Sequence, residues 1–412
     1  MLDIKVIREN PIEIQNAVKN KGINLDISKV LEADRLFKEL SLEVQKLREE
    51  KNKFAKERNI EKGKQIKEEL DKKEEELKKL EKNLNELLLQ VPNPAKSDVK
   101  VGKDETENDV IRKYSKPKEF SFKPKDHIEL GEALDIIDVK RAVKVSGARF
   151  YYLKNEAVLL EFALVNLAHE ILAKEGFSIV IPPVLIKKEI MQALGYTEFG
   201  QDENIFYLPK DELFLVGTSE QSVVPMFKDE ILNGKDFPKR YAGFSTCFRR
   251  EAGSYGKDTR GILRVHQFDK LEMVSFVKQG EDDKEHEFLL SLEEKFFQLL
   301  DIPYQVIKMC TGDLGFPAAR KYDIEAWIPS QGRYREVTST STTTDFQARR
   351  LNIKYNQDNE RKFVTILNGT GFAIGRTIIA ILENYQREDG SVLIPEALTK
   401  YLPFTEIKVK TK

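Results

Sequence analysis

The stretch that decides the fold is residues 241–276, YAGFSTCFRREAGSYGKDTRGILRVHQFDKLEMVSF. Residues 241–251 have the composition of a β-strand, and residues 262–276 have it again. Between them, residues 252–261 are rich in Gly, Lys, Asp and Thr, which is typical of a loop. The stretch therefore predicts two antiparallel strands joined by a long polar connection.

The polar residues of these two strands point to chemistry. Residues two apart on a strand share a face, so Arg249 goes with Glu251, and Phe268 goes with Lys270 and Glu272. A core would not bury so many charges, and a solvated face does not explain the aromatic ring among them. An arginine for phosphate, an aromatic for a base and carboxylates for an amine indicate a site for a nucleotide and an amine. On pattern alone, a solvated surface remains an equal alternative.

The rest of the chain from about residue 126 alternates strand-like runs with amphipathic helices, for example residues 157–173 followed by residues 177–181. Threonine and aromatic residues in the strands, and hairpin-type turns between them, favour an α+β domain on a largely antiparallel β-sheet flanked by helices. We predict this domain over residues 126–412. The polar residues 96–125 are predicted to be a linker, and residues 1–95 a separate N-terminal domain.

Residues 28–91 predict an antiparallel coiled-coil hairpin. Apolar residues recur at spacings of three and four in both halves, and residues 58–63 break the pattern between them, where Gly63 suits a reversal of the chain. The remaining positions are almost all Lys and Glu, which a surrounding bundle would not bury. A pair of bundle helices inside a globular domain is the alternative.

The predicted tip of this hairpin is basic. Residues 46–67 hold nine basic and four acidic side chains, a net charge of +5 that could grip a phosphate backbone. An ordinary solvated Lys/Glu face explains the same charges equally well. The candidate contacts to nucleic acid are Lys46, Arg48, Lys53, Lys56, Arg58, Lys62 and Lys64.

Composition excludes several classes of protein. The 412 residues carry a net charge of −1, which rules out a basic coat over the whole molecule. Two cysteines and four scattered histidines fit neither a disulfide framework nor a structural zinc site. The chain starts without the apolar stretch of a signal peptide and holds no apolar run of 18 residues. We therefore expect a cytoplasmic protein with no zinc and no membrane span.

At residues 248–272, FRREAGSYGKDTRGILRVHQFDKLE closely resembles motif 2 of seryl-tRNA synthetases, which are class II aminoacyl-tRNA synthetases. Other strings follow that family in order. Residues 179–183 (IVIPP) resemble motif 1, residues 217–220 (GTSE) the serine-site T-x-E, residues 336–339 (EVTS) with 345–350 (DFQARR) the family's E-[ILV]-S-S…D-F-Q-A-R-R block, and residues 367–376 (LNGTGFAIGR) motif 3. The hairpin at residues 28–91 is similar to the N-terminal arm of the family, so the resemblance covers essentially the whole chain.

The resemblance implies a homodimeric serine–tRNA ligase. It implies ATP as a substrate with Mg²⁺, L-serine as the amino acid and tRNA(Ser) as the acceptor, and leaves open whether tRNA(Sec) is also charged. Motif 1 would lie at the dimer interface. Two rivals remain: a ligase that loads a carrier protein instead of tRNA, and a non-catalytic RNA-binding paralogue. The second should have lost Arg249, Glu336 or Arg376, and all three are present.

The resemblance also assigns roles to residues. Arg249 and Arg376 would be catalytic. Serine would be bound by Thr218, Ser219, Glu220, Arg249, Glu272 and Thr370. ATP would be bound by Arg249, Arg250, Glu251, Arg264, Val265, Phe268, Glu336, Val337, Thr338, Ser339 and Arg376. Glu336 and Ser339 would hold Mg²⁺, which requires a bulge or a strand end, because residues three apart on a regular strand face opposite sides.

The chain departs from the family pattern in places. Thr338 and Thr370 stand where serine is frequent, and Arg250 replaces a small residue. Residues 194–199, LGYTEF, lack the family's G-Q-L-P. The arm is also several turns shorter than is usual.

Overall fold

The computed structural model describes residues 1–57, 59–197, 201–252, 261–358 and 360–410, and only the backbone of residues 201 and 202. The chain forms two compact units, Met1–Pro94 and Ala95–Lys412. The helices are α1 Ile4–Glu9, α2 Pro11–Asn20, α3 Ile27–Lys56, α4 Ile60–Leu89, α5 His127–Ala133, α6 Val139–Ser146, α7 Glu156–Lys174, α8 Lys188–Leu194, α9 Glu220–Val223, α10 Asp282–Leu299, α11 Phe346–Leu351 and α12 Ile374–Asn384. The strands are β1 Asp109–Tyr114, β2 Ile137–Asp138, β3 Tyr152–Leu153, β4 Phe177–Val180, β5 Leu185–Lys187, β6 Tyr207–Leu208, β7 Leu213–Leu215, β8 Ile231–Asn233, β9 Lys239–Phe248, β10 Gln267–Val277, β11 Tyr304–Lys308, β12 Arg320–Ile328, β13 Arg333–Thr344, β14 Lys354–Gln357, β15 Glu360–Phe363, β16 Thr365–Ala373, β17 Val392–Leu393 and β18 Glu406–Ile407.

The N-terminal unit contains the predicted hairpin. Helices α3 and α4 run antiparallel, because Val30 near the start of α3 shares a cluster with Leu88 near the end of α4, whereas residues further along α3 cluster with Leu70. A distal apolar cluster includes the buried Leu40, Val44 and Leu70. A second cluster at the base packs the proximal parts of both helices against α1 and α2. The apolar seam is therefore confirmed as the contact between the two helices.

The chain reversal uses other residues than expected. Helix α3 ends at Lys56 and α4 begins at Ile60, with the Asn59 side chain accepting a hydrogen bond from the Lys62 backbone N–H at 3.2 Å. Gly63 lies within α4, so the prediction that it forms the turn is wrong. An asparagine cap starts the helix before the glycine is reached.

The second unit is built on an eight-stranded sheet in the order β1-β11-β12-β13-β16-β10-β9-β4. Neighbouring strands are antiparallel except β4, which runs parallel to β9. Helices α7, α10 and α12 pack against this sheet and bury an extensive apolar cluster with it. The predicted antiparallel sheet flanked by helices is confirmed. Within the described part of the chain, no helix has the length and apolarity needed to cross a membrane.

Residues 96–125 do not form the predicted linker. They belong to the second unit, and β1 within them pairs antiparallel with β11 at the edge of the sheet. Strand β1 is exposed along most of its length, so it carries no apolar alternation. An edge strand without a buried face resembles a linker in sequence, which explains the error.

Strand β13 contains a bulge. Ile324 pairs with Thr338 and Glu325 pairs with Glu336, which leaves Val337 as an extra residue in β13. A bulge of this kind reverses the facing of the side chains beyond it. The irregularity required between Glu336 and Ser339 is therefore present.

Candidate active site

A cavity of about 940 Å³ opens in the second unit. Its lining comes from β10, β13 and β16, from the start of α12, and from the segments around residues 217–221 and 262–265. The side chains are predominantly polar and charged, with Phe268 among them. Most of the residues selected from the sequence meet here.

Arg249 follows β9 directly and is fixed from several sides. Its backbone N–H donates to the His266 carbonyl, and its own carbonyl lies 3.0 Å from His266 Nδ1. Its Nε donates to the Gly217 carbonyl at 3.1 Å, and its guanidinium lies 5.3 Å from the centre of the Phe268 ring. These contacts leave the terminal nitrogens directed at the cavity that the residue lines.

The strands around this residue are shorter than predicted. Strand β9 ends at Phe248 and β10 begins at Gln267, so Arg249, Glu251 and Arg264 lie on the connection and not in a strand. Glu251 has a left-handed backbone (φ 50°), which a strand does not allow. The five side chains expected on one surface all line the cavity, but only Phe268, Lys270 and Glu272 do so from a strand.

Near the start of α12, one carboxylate is surrounded by cations. Arg376 Nη1 lies 3.0 Å from Glu336 Oε2 and donates to the Glu336 carbonyl at 3.1 Å. Burial would raise the pKa of Glu336, but Arg376, Lys321 and Arg249 outweigh it and lower the pKa to about 2. Glu336 is thus an ionised oxygen donor at the edge of the cavity.

Asp323 lies beside this carboxylate on β12. Burial raises the pKa of Asp323 to about 7, with Lys321 acting in the opposite direction and Glu336 in the same one. Lys321 Nζ lies 3.4 Å from Asp323 Oδ1. Ser339 is opposite Asp323 in the sheet and lines the cavity with Glu336, as the bulge allows. No cluster of three or more His, Cys, Asp or Glu side chains suited to a metal occurs in the described residues.

Two buried carboxylates occupy another part of the cavity. Glu272 is 2 % exposed, pairs with Lys270, and accepts a hydrogen bond from the Thr370 hydroxyl at 3.3 Å. Glu220 is 3 % exposed, and burial together with the Glu272 carboxylate raises its pKa. Thr218 also lines this part. Two carboxylates that repel each other in a buried place favour a bound cation.

Glu251 and Arg264 form an ion pair in the lining of the cavity. Arg264 Nη1 lies 3.3 Å from Glu251 Oε2, and both residues line the cavity with Val265. Arg149 donates to the Glu251 carbonyl at 2.8 Å, which helps to hold the left-handed backbone there. Residues 253–260 of the motif 2 stretch lie outside the described residues.

Two of the predicted site residues, Ser219 and Arg250, lie outside the cavity lining. The Ser219 hydroxyl donates to the Gly243 carbonyl at 2.8 Å, and Ser219 is fully buried outside the cavity lining. Arg250 lies over the Phe206 ring and donates to the Ile205 carbonyl, again outside the lining. Neither side chain contributes to the cavity lining of the described residues, so the roles assigned to Ser219 and Arg250 stay predictions.

Thr338 lines the cavity, but its hydroxyl points away from it. The hydroxyl donates to Glu293 Oε2 of α10 at 2.8 Å. Glu293 is fully buried, and burial raises its pKa well above the usual range. Thr338 and Val337 thus have their backbone, and not a polar side chain, available to a ligand.

Sequence reasoning missed two residues of the cavity region. Tyr196 lines the cavity and donates to Glu220. Gln347 of α11 lies outside the lining but also donates to Glu220. Gln347 lies in the DFQARR string, so its position was a usable signal. Tyr196 lies in residues 194–199, where the chain departs from the family pattern, and Glu198 and Phe199 of that stretch are outside the described residues.

The candidate contacts on the arm are exposed in the N-terminal unit. This applies to Lys46, Arg48, Lys53, Lys56, Lys62 and Lys64. Arg48 is paired with Glu74 at 2.8 Å, and Lys62 lies 5.4 Å from the Phe54 ring centre. Arg58 lies outside the described residues. The tip is therefore basic and open, with one of its charges partly compensated.

Comparison with known proteins agrees with this arrangement. The family model described as "Seryl-tRNA synthetase N-terminal domain" matches residues 1–95, and the "tRNA synthetase class II core domain (G, H, P, S and T)" matches residues 206–385. A serine–tRNA ligase from Dictyoglomus thermophilum is 46 % identical over the whole of both chains. The chain belongs to the seryl-tRNA synthetase family.

Further members of this family are similar over the same length. The serine–tRNA ligase of Rubrobacter xylanophilus is 43 % identical over 98 % of both chains. The structure of seryl-tRNA synthetase from Pyrococcus horikoshii complexed with ATP superposes with a TM-score of 0.93 at 40 % identity, covering both chains completely. The cytoplasmic serine–tRNA ligase from Naegleria fowleri in complex with AMP gives a TM-score of 0.91 at 32 % identity, over 100 % of this chain and 99 % of that one.

Proposed function

We infer that the protein is a serine–tRNA ligase of class II, which activates L-serine with ATP and transfers the seryl group to tRNA(Ser). The serine carboxylate attacks the α-phosphorus of ATP, seryl-adenylate forms and pyrophosphate leaves. The 3′-terminal ribose hydroxyl of the tRNA then attacks the seryl carbonyl and AMP leaves. No side chain forms a covalent intermediate.

The observation that carries this proposal is the position of Arg249 between two charge clusters of one cavity. The positive charge of Arg249 lowers the pKa of Tyr196 in the carboxylate-rich part and the pKa of Glu336 in the cation-rich part. The first part suits the ammonium of an amino acid, and the second suits phosphates. A forked guanidinium between them can bind a carboxylate and a phosphate at the point where they react.

For the remaining residues we propose the following roles. Glu220 and Thr218 bind the serine ammonium, and Glu272 with Thr370 binds its hydroxyl. A polar site for the hydroxyl discriminates against alanine, which would leave these groups unpaired. Phe268 stacks on the adenine ring, and Glu251 accepts a hydrogen bond from the adenine amino group.

The arginines at the cationic end of the cavity stabilise the negative charge of the departing pyrophosphate. Arg376 is the third residue of α12 and lies near its N-terminus, so its guanidinium and the helix dipole act together on a phosphate. Arg264 reaches the other phosphates. Catalysis then depends on positioning and on charge stabilisation, and Arg249 and Arg376 contribute most.

We propose that Glu336 and Ser339 hold Mg²⁺. Glu336 is ionised, and two protein oxygens are sufficient for an ion that keeps several water and phosphate ligands. When bound, the ion neutralises charge on the phosphates. The bulge at Val337 supports this assignment because it brings both side chains to the cavity.

The arm is proposed to bind tRNA through its basic tip. The exposure of the lysines on a long hairpin supports this, although it fits a solvated face as well. Excision of the distal part of the arm separates the two explanations. We place this activity in the cytoplasm, where its substrates occur together.

A homodimer is proposed through the region of motif 1. The apolar side chains Leu159, Phe162, Ile179 and Ile181 are exposed on α7 and at β4, the edge strand of the sheet. A second copy of the chain would cover them. Sedimentation of the wild type and of Phe162→Glu tests this: a dimer that the substitution dissociates is expected, and a monomeric wild type would contradict it.

The activity itself is tested by pyrophosphate exchange with each of the twenty amino acids, with and without tRNA. Serine alone should support exchange, and serine should then appear on tRNA(Ser). A ligase for a carrier protein would show exchange but no charging of tRNA. A non-catalytic paralogue would show neither.

A further inference from the structure

Glu220 is held by two side chains from different parts of the chain. The Tyr196 hydroxyl lies 3.2 Å from both oxygens of the carboxylate, just beyond the end of α8. Gln347 Nε2 donates to Glu220 Oε1 at 3.0 Å from α11. Two donors from separate helical regions leave the carboxylate little freedom to rotate.

The two donors are themselves fixed. Gln347 is fully buried, and its Oε1 accepts a hydrogen bond from the Thr343 hydroxyl at 3.2 Å. Its Nε2 also lies 3.5 Å from the carbonyl of Leu194, the last residue of α8. Gly195 follows with a left-handed backbone (φ 86°) and turns the chain so that Tyr196 enters the cavity.

We call the two donors, Tyr196 and Gln347, the clamp. The charges around Glu220 explain why such a clamp is useful. Burial and the Glu272 carboxylate both raise the pKa of Glu220, whereas Lys270 and the hydrogen bonds from Gln347 and Tyr196 lower it. Burial also raises the pKa of Tyr196 well above its usual range, so its hydroxyl stays a donor. Without the clamp, a proton could occupy the place of the ligand cation.

We propose that Tyr196 and Gln347 are positioning residues that keep Glu220 ionised and directed at the ammonium of the amino-acid substrate. This inference rests on the proposed function, because it assumes that Glu220 binds the serine amine. The clamp acts on serine and not on ATP, since neither residue contacts the cationic end of the cavity through any hydrogen bond of the described residues.

The test is Tyr196→Phe, which removes the hydroxyl and keeps the ring. Loss of one hydrogen bond to a charged group should raise KM for serine about tenfold in pyrophosphate exchange, with KM for ATP within about twofold of wild type. Gln347→Leu should act in the same direction. Tyr207→Phe, which lies outside the cavity lining, is the matched control and should change neither constant.

The pH profile separates positioning from a merely structural role. Donors to a carboxylate stabilise its ionised form, so removing one raises the pKa of Glu220. Activity with serine is lost as Glu220 is protonated, and the acid limb of kcat/KM for serine should therefore move to higher pH in Tyr196→Phe. The other charged groups that act on Glu220, Glu272 and Lys270, are unchanged in this variant.

The outcomes distinguish the inference from the function on which it rests. If the wild type shows no serine-dependent exchange, the proposed function fails. If the wild type is active but Tyr196→Phe leaves the serine KM and the acid limb unchanged, the clamp is refuted. Equal rises in both KM values would also refute it, because they would indicate a general disturbance of the cavity. Should Gln347→Leu fail to fold, Tyr196→Phe decides alone.

Discussion

Replacing Arg249 with lysine tests the centre of the proposed mechanism. The guanidinium uses Nε on the Gly217 carbonyl and offers its terminal nitrogens to the cavity. Lysine keeps the charge but has one nitrogen, so it cannot bind a carboxylate and a phosphate while also holding Gly217. At least one hydrogen bond to a charged group is lost, about 1.5–3 kcal/mol, together with roughly 1 kcal/mol for the carbonyl contact.

The sum of about 2.5–4 kcal/mol corresponds to a fall in kcat/KM for adenylate formation of about 70- to 900-fold. Serine-dependent pyrophosphate exchange measures it, with circular dichroism to confirm that the fold is retained. Arg250→Lys is a matched control, because Arg250 is the neighbouring arginine but lies outside the cavity lining. The reasoning is refuted if Arg249→Lys exchanges within tenfold of wild type, or if the two variants lose activity equally.

Three further outcomes are expected. Glu272→Gln should raise KM for serine about tenfold or more and leave ATP nearly unaffected, and an equal loss for both substrates would contradict the assignment. In Glu293→Gln the thermal midpoint should exceed that of wild type increasingly as pH rises from 5 to 9. The pKa of Glu293 is higher in the folded protein than in the unfolded chain, so the stabilising contribution of this carboxyl is complete below the unfolded pKa and is lost as pH rises. If the two profiles of midpoint against pH run parallel, the carboxyl does not titrate in this way. Excision of residues 40–80, closed by a short Gly/Ser linker, should remove the distal cluster, keep the basal one and leave adenylate formation intact. Charging of tRNA should fall and the slope of log K against log salt should flatten by roughly 0.9 per lost phosphate contact, and unchanged charging would identify the tip as a solvated face.

The sequence was sufficient to predict an element where its apolar pattern repeats, and to predict site residues where they lie in a long motif. The three- and four-residue spacing of leucines predicted the hairpin, since a long helix needs a continuous apolar seam. The strand content predicted the antiparallel sheet. Of the motif residues, Arg249, Glu272 and Glu336 all line one cavity although they are far apart in the chain.

The failures have physical causes of their own. Strand β1 is exposed along most of its length, so no alternation marks it. The directions of Ser219 and Arg250 depend on local turns, which a regular period cannot predict. Tyr196 reaches Glu220 only because α8 stops at a left-handed glycine and packs beside α11, and neither fact is visible in a local pattern.

The bulge at Val337 gives β13 a constraint on length as well as on residue type. From Thr338 to Thr342 the assignment of side chains to the two faces is set by the number of residues counted from Glu336. A loop elsewhere in the chain can absorb an insertion, but one residue more or fewer here would exchange the faces of this whole segment. Evolution can therefore vary the identity of Val337 more freely than its existence, and a gap placed at this position in an alignment would misassign Glu336 or Ser339.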